Sequence, residues 1–344
     1  MPQITNPISA QRSLLAGAAI VDQPGLGVIQ IAGDDRKAWL HSLISQNING
    51  LQAGQSTEAL ALDANGHVEH ILRVFEDGES TWLVVDRAGA ETLLLWLKKM
   101  VFRSKVTVTA RLDDLSVVAS WGAPVTVVAP LFAWADPWIA PAAGGHRYGS
   151  APTEPWALVL NVLDAQSATS LRSDAGLDWA PESALDALRI AAHRPSMAEV
   201  DEKTIPHELD LLASAVHLSK GCYRCQETVA KVHNLGHPPR RLVLLQLDGS
   251  NHLLPEIGDE VVLPSQEGSD GEDRVRGRVT SAANHHEAGP IALAVISRTT
   301  PSEAELRVLG NHEAIAANQE LIVPLDAGKV ANLPRPGLLG KPRR

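Results

Sequence analysis

Lys220-Gly221-Cys222-Tyr223-Arg224-Cys225-Gln226-Glu227, continued by Lys231 and His233-Asn234-Leu235-Gly236, concentrates polar and reactive residues more densely than its surroundings. No amphipathic period runs through it, so burial on a helix or a strand does not explain its residues. Residues 219–241 hold five Lys/Arg against one acid, Glu227, a local excess of +4 in a chain whose formal net charge is −10. Clustered positive charge in a cleft raises the local concentration of an anionic small molecule. Both cysteines of the 344-residue chain, Cys222 and Cys225, fall here. Lys220 and Arg224 flank Cys222, and cations beside a thiol favour the thiolate. The plainer reading is a buried, inert cysteine.

Working outward, the length predicts two or three domains at roughly 100–200 residues each. A composition of 44% hydrophobic and 20% charged residues allows a sizeable core. The acidic balance and only 4% aromatics argue against an extended nucleic-acid surface. No apolar run approaches the ~20 residues a bilayer crossing needs. Residues 1–9 lack the basic start and apolar stretch of a secretory signal. The expectation is a cytoplasmic protein with no membrane contact. Two cysteines three apart cannot staple a chain of this size, so a disulfide scaffold is excluded.

Residues 1–110 read as alternating strands and helices. A strand-like run at 27–31 closes at Gly33, and Asp34 reads as the N-cap of a helix carrying Trp39, Leu40, Leu43 and Ile44. Runs at 59–62 and 68–75 flank Asn65-Gly66, a tight-hairpin dipeptide. Leu93, Leu94, Trp96 and Leu97 give residues 88–99 a helical pattern. Residues 111–239 mix strands with a helix over 182–192, started by Pro181. Within them, 201–239 reads as an extended segment running over a site. Residues 240–330 show short strands with turn signals, a small β-barrel or sandwich. Residues 331–344 form a tail, and it and the polar loop 265–273 read as mobile. The class is α+β followed by an all-β domain.

The opening stretch resembles the signature of the YgfZ family, Lys-Gly-Cys-Tyr/Phe-x-Gly-Gln-Glu. Seven of eight positions match, counting the free one; the departure is Cys225, where the pattern has glycine. If that glycine has positive φ, a cysteine there is strained by roughly 1–2 kcal/mol. The likeness extends in order through Gly27 to Leu40, Leu62 to Val74, Leu185 to Ala192, and Gly277 to Ala282 with Ile291 to Ala294. It implies a three-domain ring of the glycine-cleavage T-protein type: two mixed α/β domains (ferredoxin-like and Greek-key) and a C-terminal small β-barrel. It also implies tetrahydrofolate or a one-carbon derivative in the central hole, pterin deep and glutamate tail outward. Lys220, Arg224 and Lys231 would face anionic or polar parts of that ligand, and Cys222, the candidate catalytic residue, its reactive end. Tyr223, Gln226 and Glu227 would orient the loop or hold the pterin, with Arg189 and Glu69 completing the set. The implied partners are iron–sulfur client or assembly proteins, among them a tRNA-modifying enzyme.

True T-proteins are aminomethyltransferases whose catalytic acid sits in a Gly-Gly-Ile-x-Asp-Asp segment. The matching stretch is Asn65-Gly66-His67-Val68-Glu69-His70, so Glu69 and His70 replace the acidic pair. A displacement of about 1 Å can cost on the order of 10²-fold in rate. Ala191 stands where T-proteins hold the pterin with glutamate, and His193 where the family has glycine. Aminomethyl or methyl transfer is therefore the second reading. A third is a metal or thiol-redox site on Cys222-x-x-Cys225, with His217, His233 and His237 near in sequence. His285-His286 and the alternating Arg274, Arg276 and Arg278 read as solvated, Glu208 as either a ligand contact or an exposed charge, and the tryptophans as core.

Overall fold

Asn6 opens the first helix: its side-chain oxygen accepts the amides of Ile8 and Ser9 at 2.9 and 3.1 Å, and Pro7 pre-sets the first turn. In this computed structural model residues 3–174, 176–250, 253–265, 272–310 and 314–331 are described. Residues 266–271 of the polar loop and 332–344 of the tail, read above as mobile, lie outside them.

The chain runs through α1 (Pro7–Leu15), β1 (Ala19–Asp22), β2 (Leu26–Ala32), α2 (Arg36–Leu43), β3 (Gln55–Leu62), β4 (Val68–Glu76), β5 (Ser80–Asp86), α3 (Arg87–Met100) and β6 (Thr107–Ala110). There follow β7 (Leu115–Trp121), β8 (Phe132–Ala135), β9 (Leu158–Asp164), α4 (Ala165–Ser173), β10 (Asp178–Trp179), α5 (Glu182–Ala191) and α6 (Gln226–Leu235). Last come β11 (Arg240–Leu247), β12 (Glu260–Leu263), β13 (Arg274–His285), β14 (Gly289–Ser297), β15 (Leu306–Leu309) and β16 (Ala314–Leu321).

One sheet has the order β3-β4-β5-β2-β6, with the apolar stripes of α2 and α3 buried against it through Leu40, Leu93 and Leu97. A second has the order β10-β1-β7-β9-β8. In it β1 lies parallel to the edge strand β10, Ala19 opposite Asp178, and antiparallel to the middle strand β7. The first 22 residues are thus built into a sheet completed far along the chain. The remaining strands close into a barrel, β11-β14-β13-β12-β15-β16. A Cβ on Gly277 would stand 2.1 Å from the Val295 carbonyl oxygen, so the barrel needs glycine there for β13 to approach β14. The largest apolar cluster joins all three layers, with α5 at its middle contributing Ala184, Leu188, Ile190 and Ala191.

Several expectations change. The N-cap position of α2 is Asp35, not Asp34, and the Asp35 carboxylate accepts the Lys105 amide at 2.7 Å instead of capping its own helix. Residues 201–239 are not an extended cover. Leu209, Leu211, Leu212, Ala215 and Val216 are wholly buried, and α6 follows them. Apart from a single 3-10 turn at Pro206–Leu209 the buried run has no regular secondary structure, so it leaves no period to read. His285 is buried rather than solvated, because α1 packs on that end of β13 and the Gln11 amide group bonds Asn284 and His286. Glu208 is buried and holds Arg240 at 2.8 Å, which makes it a structural anchor.

Candidate functional site

The signature segment sits where the β3–β4 hairpin meets the end of α2. Residues α2 leaves without intrahelical partners at its C-terminus need donors, and Lys220 supplies them. Its Nζ lies 2.5 Å from the His41 carbonyl oxygen, 2.7 Å from that of Ile44 and 3.0 Å from that of Gln46. All three ammonium protons are spent, and the charge sits at the negative end of a helix. Burial pushes the Lys220 pKa down to about 8, while the three carbonyls favour the charged form. Lys220 also lies 5.0 Å from the ring centroid of buried Tyr223. The segment's first lysine is therefore an internal clamp with no donor left for a ligand.

A turn follows. The Gln226 amide donates to the Tyr223 carbonyl at 3.2 Å, with Cys225 third in the turn at φ 65°, ψ 19°. These angles are those of a type II turn, whose third residue favours glycine. The Gln226 side chain donates back to the Lys220 carbonyl at 2.8 Å. Cys225 Sγ lies 2.9 Å from the Asp63 carbonyl oxygen, so the turn docks on the hairpin. That hairpin is shaped by Gly66 at φ 90° and by the Asp63 carboxylate, which accepts the Asn65 and His67 amides. Cys222 is exposed and both thiols are free. His193, the other residue standing at a family glycine, also has positive φ, 56°.

Of the remaining sequence-predicted residues, Arg224 and Glu69 meet at 3.4 Å across a half-exposed contact, with Arg224 also 5.8 Å from the Trp96 ring. Glu227 and Lys231 are exposed on α6. Arg189 is elsewhere. From α5 it bonds Asp186 at 3.1 Å, Glu199 at 3.0 Å and Ser281 of β13 at 2.8 Å, tying helix to barrel. The eight residues of the set other than Arg189 do not line the cleft that Arg189 borders.

That cleft, about 230 Å³, opens between the β1–β2 turn, β4, β9 and α5. Leu26, Leu160 and Leu185 give it apolar walls and Trp156 lines it, its indole N–H closed to solvent and, among the described residues, without a hydrogen-bond partner. Arg73 faces it, held among the described residues by Asp86 at 3.5 Å. Asp136 and Arg194, 3.0 Å apart, form a further wall, and Arg194 also pairs with buried Glu58. Near Asp86, burial holds His70 below the usual imidazole range, the Asp86 charge opposing it. Sequence reasoning missed Arg73, Asp86 and Trp156, because the lining gathers single residues from separate segments and carries no local motif. Among the described residues no three His, Cys, Asp or Glu converge as a metal-binding group, so Cys222-x-x-Cys225 has no third metal ligand. No described helix is long and apolar enough to cross a membrane.

No family model matches the chain. It is 25% identical over 332 residues to the tRNA-modifying protein YgfZ of Vibrio vulnificus (strain YJ016), covering 94% of this chain and 99% of that protein. To the tRNA-modifying protein YgfZ of Klebsiella pneumoniae (strain 342) it is 32% identical over 242 residues, 68% of this chain and 72% of the other. Among solved structures it matches the glycine cleavage system aminomethyltransferase T from Bartonella henselae with a TM-score of 0.70. That likeness covers 93% of this chain and 89% of the other at 18% identity, and it gives the fold.

Proposed function

Since the chain belongs to the YgfZ family, we propose that it binds tetrahydrofolate or a one-carbon derivative in the cleft beside α5, and so supports iron–sulfur enzymes, among them one that modifies tRNA. The observation that carries this reading is the cleft: apolar walls at Leu26, Leu160 and Leu185 beside Trp156, bordered by Arg73 and the carboxylates of Asp86 and Glu182. The carboxylates of Asp86 and Glu182 suit the pterin's N–H donors, and Arg73 suits an anionic tail leaving the cleft. The ligand would supply the one-carbon chemistry; the chain's residues bind it, orient it and keep water from its apolar face.

Three observations favour a binding role over aminomethyl transfer. Glu69 meets Arg224, burial disfavours the charged form of His70, and Ala191 packs into the core. The net charge of −10 favours a protein client over direct grip on tRNA.

The test is calorimetric titration of the reduced protein with tetrahydrofolate and 5-formyl-tetrahydrofolate. Saturable one-site binding is expected, weakened about 10-fold or more by Arg73→Met, the loss of a hydrogen bond to a charged group. Folded protein that takes up no reduced folate would overturn the proposal.

A further inference from the structure

Cys225 occupies a position that costs it strain. Its backbone lies in the left-handed region, where glycine is at ease and a Cβ is not. In return the side chain makes one weak contact, Sγ to the Asp63 carbonyl. A strained residue with little local compensation is where a functional reason is sought. Three residues earlier stands the only other thiol of the chain, Cys222, exposed at the surface. The turn closed by the Gln226 amide on the Tyr223 carbonyl begins at the residue after Cys222 and holds Cys225 as its third member. Neither flanking cation is committed to the thiol: Lys220 is spent on α2 carbonyls and Arg224 turns to Glu69 and Trp96.

We propose that Cys222 and Cys225 form a reversible dithiol–disulfide couple, with Cys222 as the attacking sulfur, Cys225 as the resolving one, and a hydroperoxide as oxidant. The Cys222 thiolate attacks the terminal oxygen of the hydroperoxide. The O–O bond breaks, an alcohol or water leaves, and Cys222 carries a sulfenic acid. Cys225 then attacks that sulfur; the S–S bond forms and the hydroxyl departs as water. Two thiols and one hydroperoxide give one disulfide, one alcohol and one water. Closure draws Cys225 Sγ off the Asp63 carbonyl, so oxidation undocks the turn from the hairpin that also carries Glu69. This couple is independent of whether the cleft takes a folate.

Trypsin cuts after Lys220 and after Arg224, placing the two cysteines on different peptides. Full-length reduced protein is treated with hydrogen peroxide, alkylated, and examined by intact mass and non-reducing peptide mapping. Expected are a mass lower by about 2 Da, two thiols blocked to alkylation, and residues 221–224 linked to 225–231, all reversed by dithiothreitol. In Cys225→Gly, which relieves the left-handed position and so folds at least as well, Cys222 advances instead to sulfinic acid. Wild-type protein that gives sulfinic Cys222 with Cys225 still alkylatable, or only disulfides between molecules, overturns the proposal.

Discussion

Arg194 reaches from the end of α5 to Glu58 of β3, both side chains buried, and its Nε meets Asp136 at 3.0 Å. One guanidinium therefore faces two carboxylates from different segments, with the Trp138 ring 5.0 Å away. Ser214 adds a 2.6 Å bond to Glu58. The network fixes one wall of the cleft.

Removing the cation leaves two buried carboxylates uncompensated. Arg194→Met should cost about 3–5 kcal/mol in urea unfolding, and Arg194→Lys, lacking the planar fork, should recover only part of it. A cost below about 1 kcal/mol would show the network to be dispensable.

Lys220→Met separates an anchor from a ligand contact. It frees three carbonyls at the end of α2 and should destabilise by about 2 kcal/mol. Reduced-folate affinity of the folded protein should stay within about 2-fold of wild type, less than half a kcal/mol. A large fall in affinity with stability intact would reinstate the motif lysine as a ligand residue.

Asp210 is 1% exposed, accepts the Tyr148 amide at 2.8 Å, and burial pushes its pKa up to about 7, the Tyr148 amide and Arg147 opposing. In the unfolded chain it titrates near the ordinary 3.8. A folded pKa above the unfolded one means stability present at low pH and lost as pH rises through the interval. Asp210→Asn keeps the acceptor and tolerates the left-handed backbone at φ 57°. Its advantage over wild type should grow from about pH 4 to 7 and level off above. A constant difference across that range would contradict the shift.

Much of the fold was legible because its signals are local. Asn65-Gly66 announced the hairpin, Pro181 the start of α5, and the regular short strands after residue 240 the barrel. The joining of β1 to β10 was not, since a two-residue strand has no period and its partner lies far along the chain. At the site, the motif was visible but its geometry was not. A run of cations suggests a ligand, yet Lys220 meets carbonyls of a helix some 180 positions earlier. The cleft itself draws on Leu26, Arg73, Trp156 and Leu185, none of which stands out among its neighbours.

The parallel pairing of Ala19 with Asp178 bears on birth as well as on the finished molecule. A ribosome adding about 5–20 residues per second needs roughly 8 to 30 s to travel from one to the other. During that interval the β2–β6 sheet, whose strands all lie within 26–110, can form complete. The preceding β1, with Ile20 and Val21 destined for burial, can meet β7 on one side, but its other edge waits for β10. Emerging chains thus carry an apolar strand with one open edge for many seconds, a natural stretch for a nascent-chain chaperone to hold.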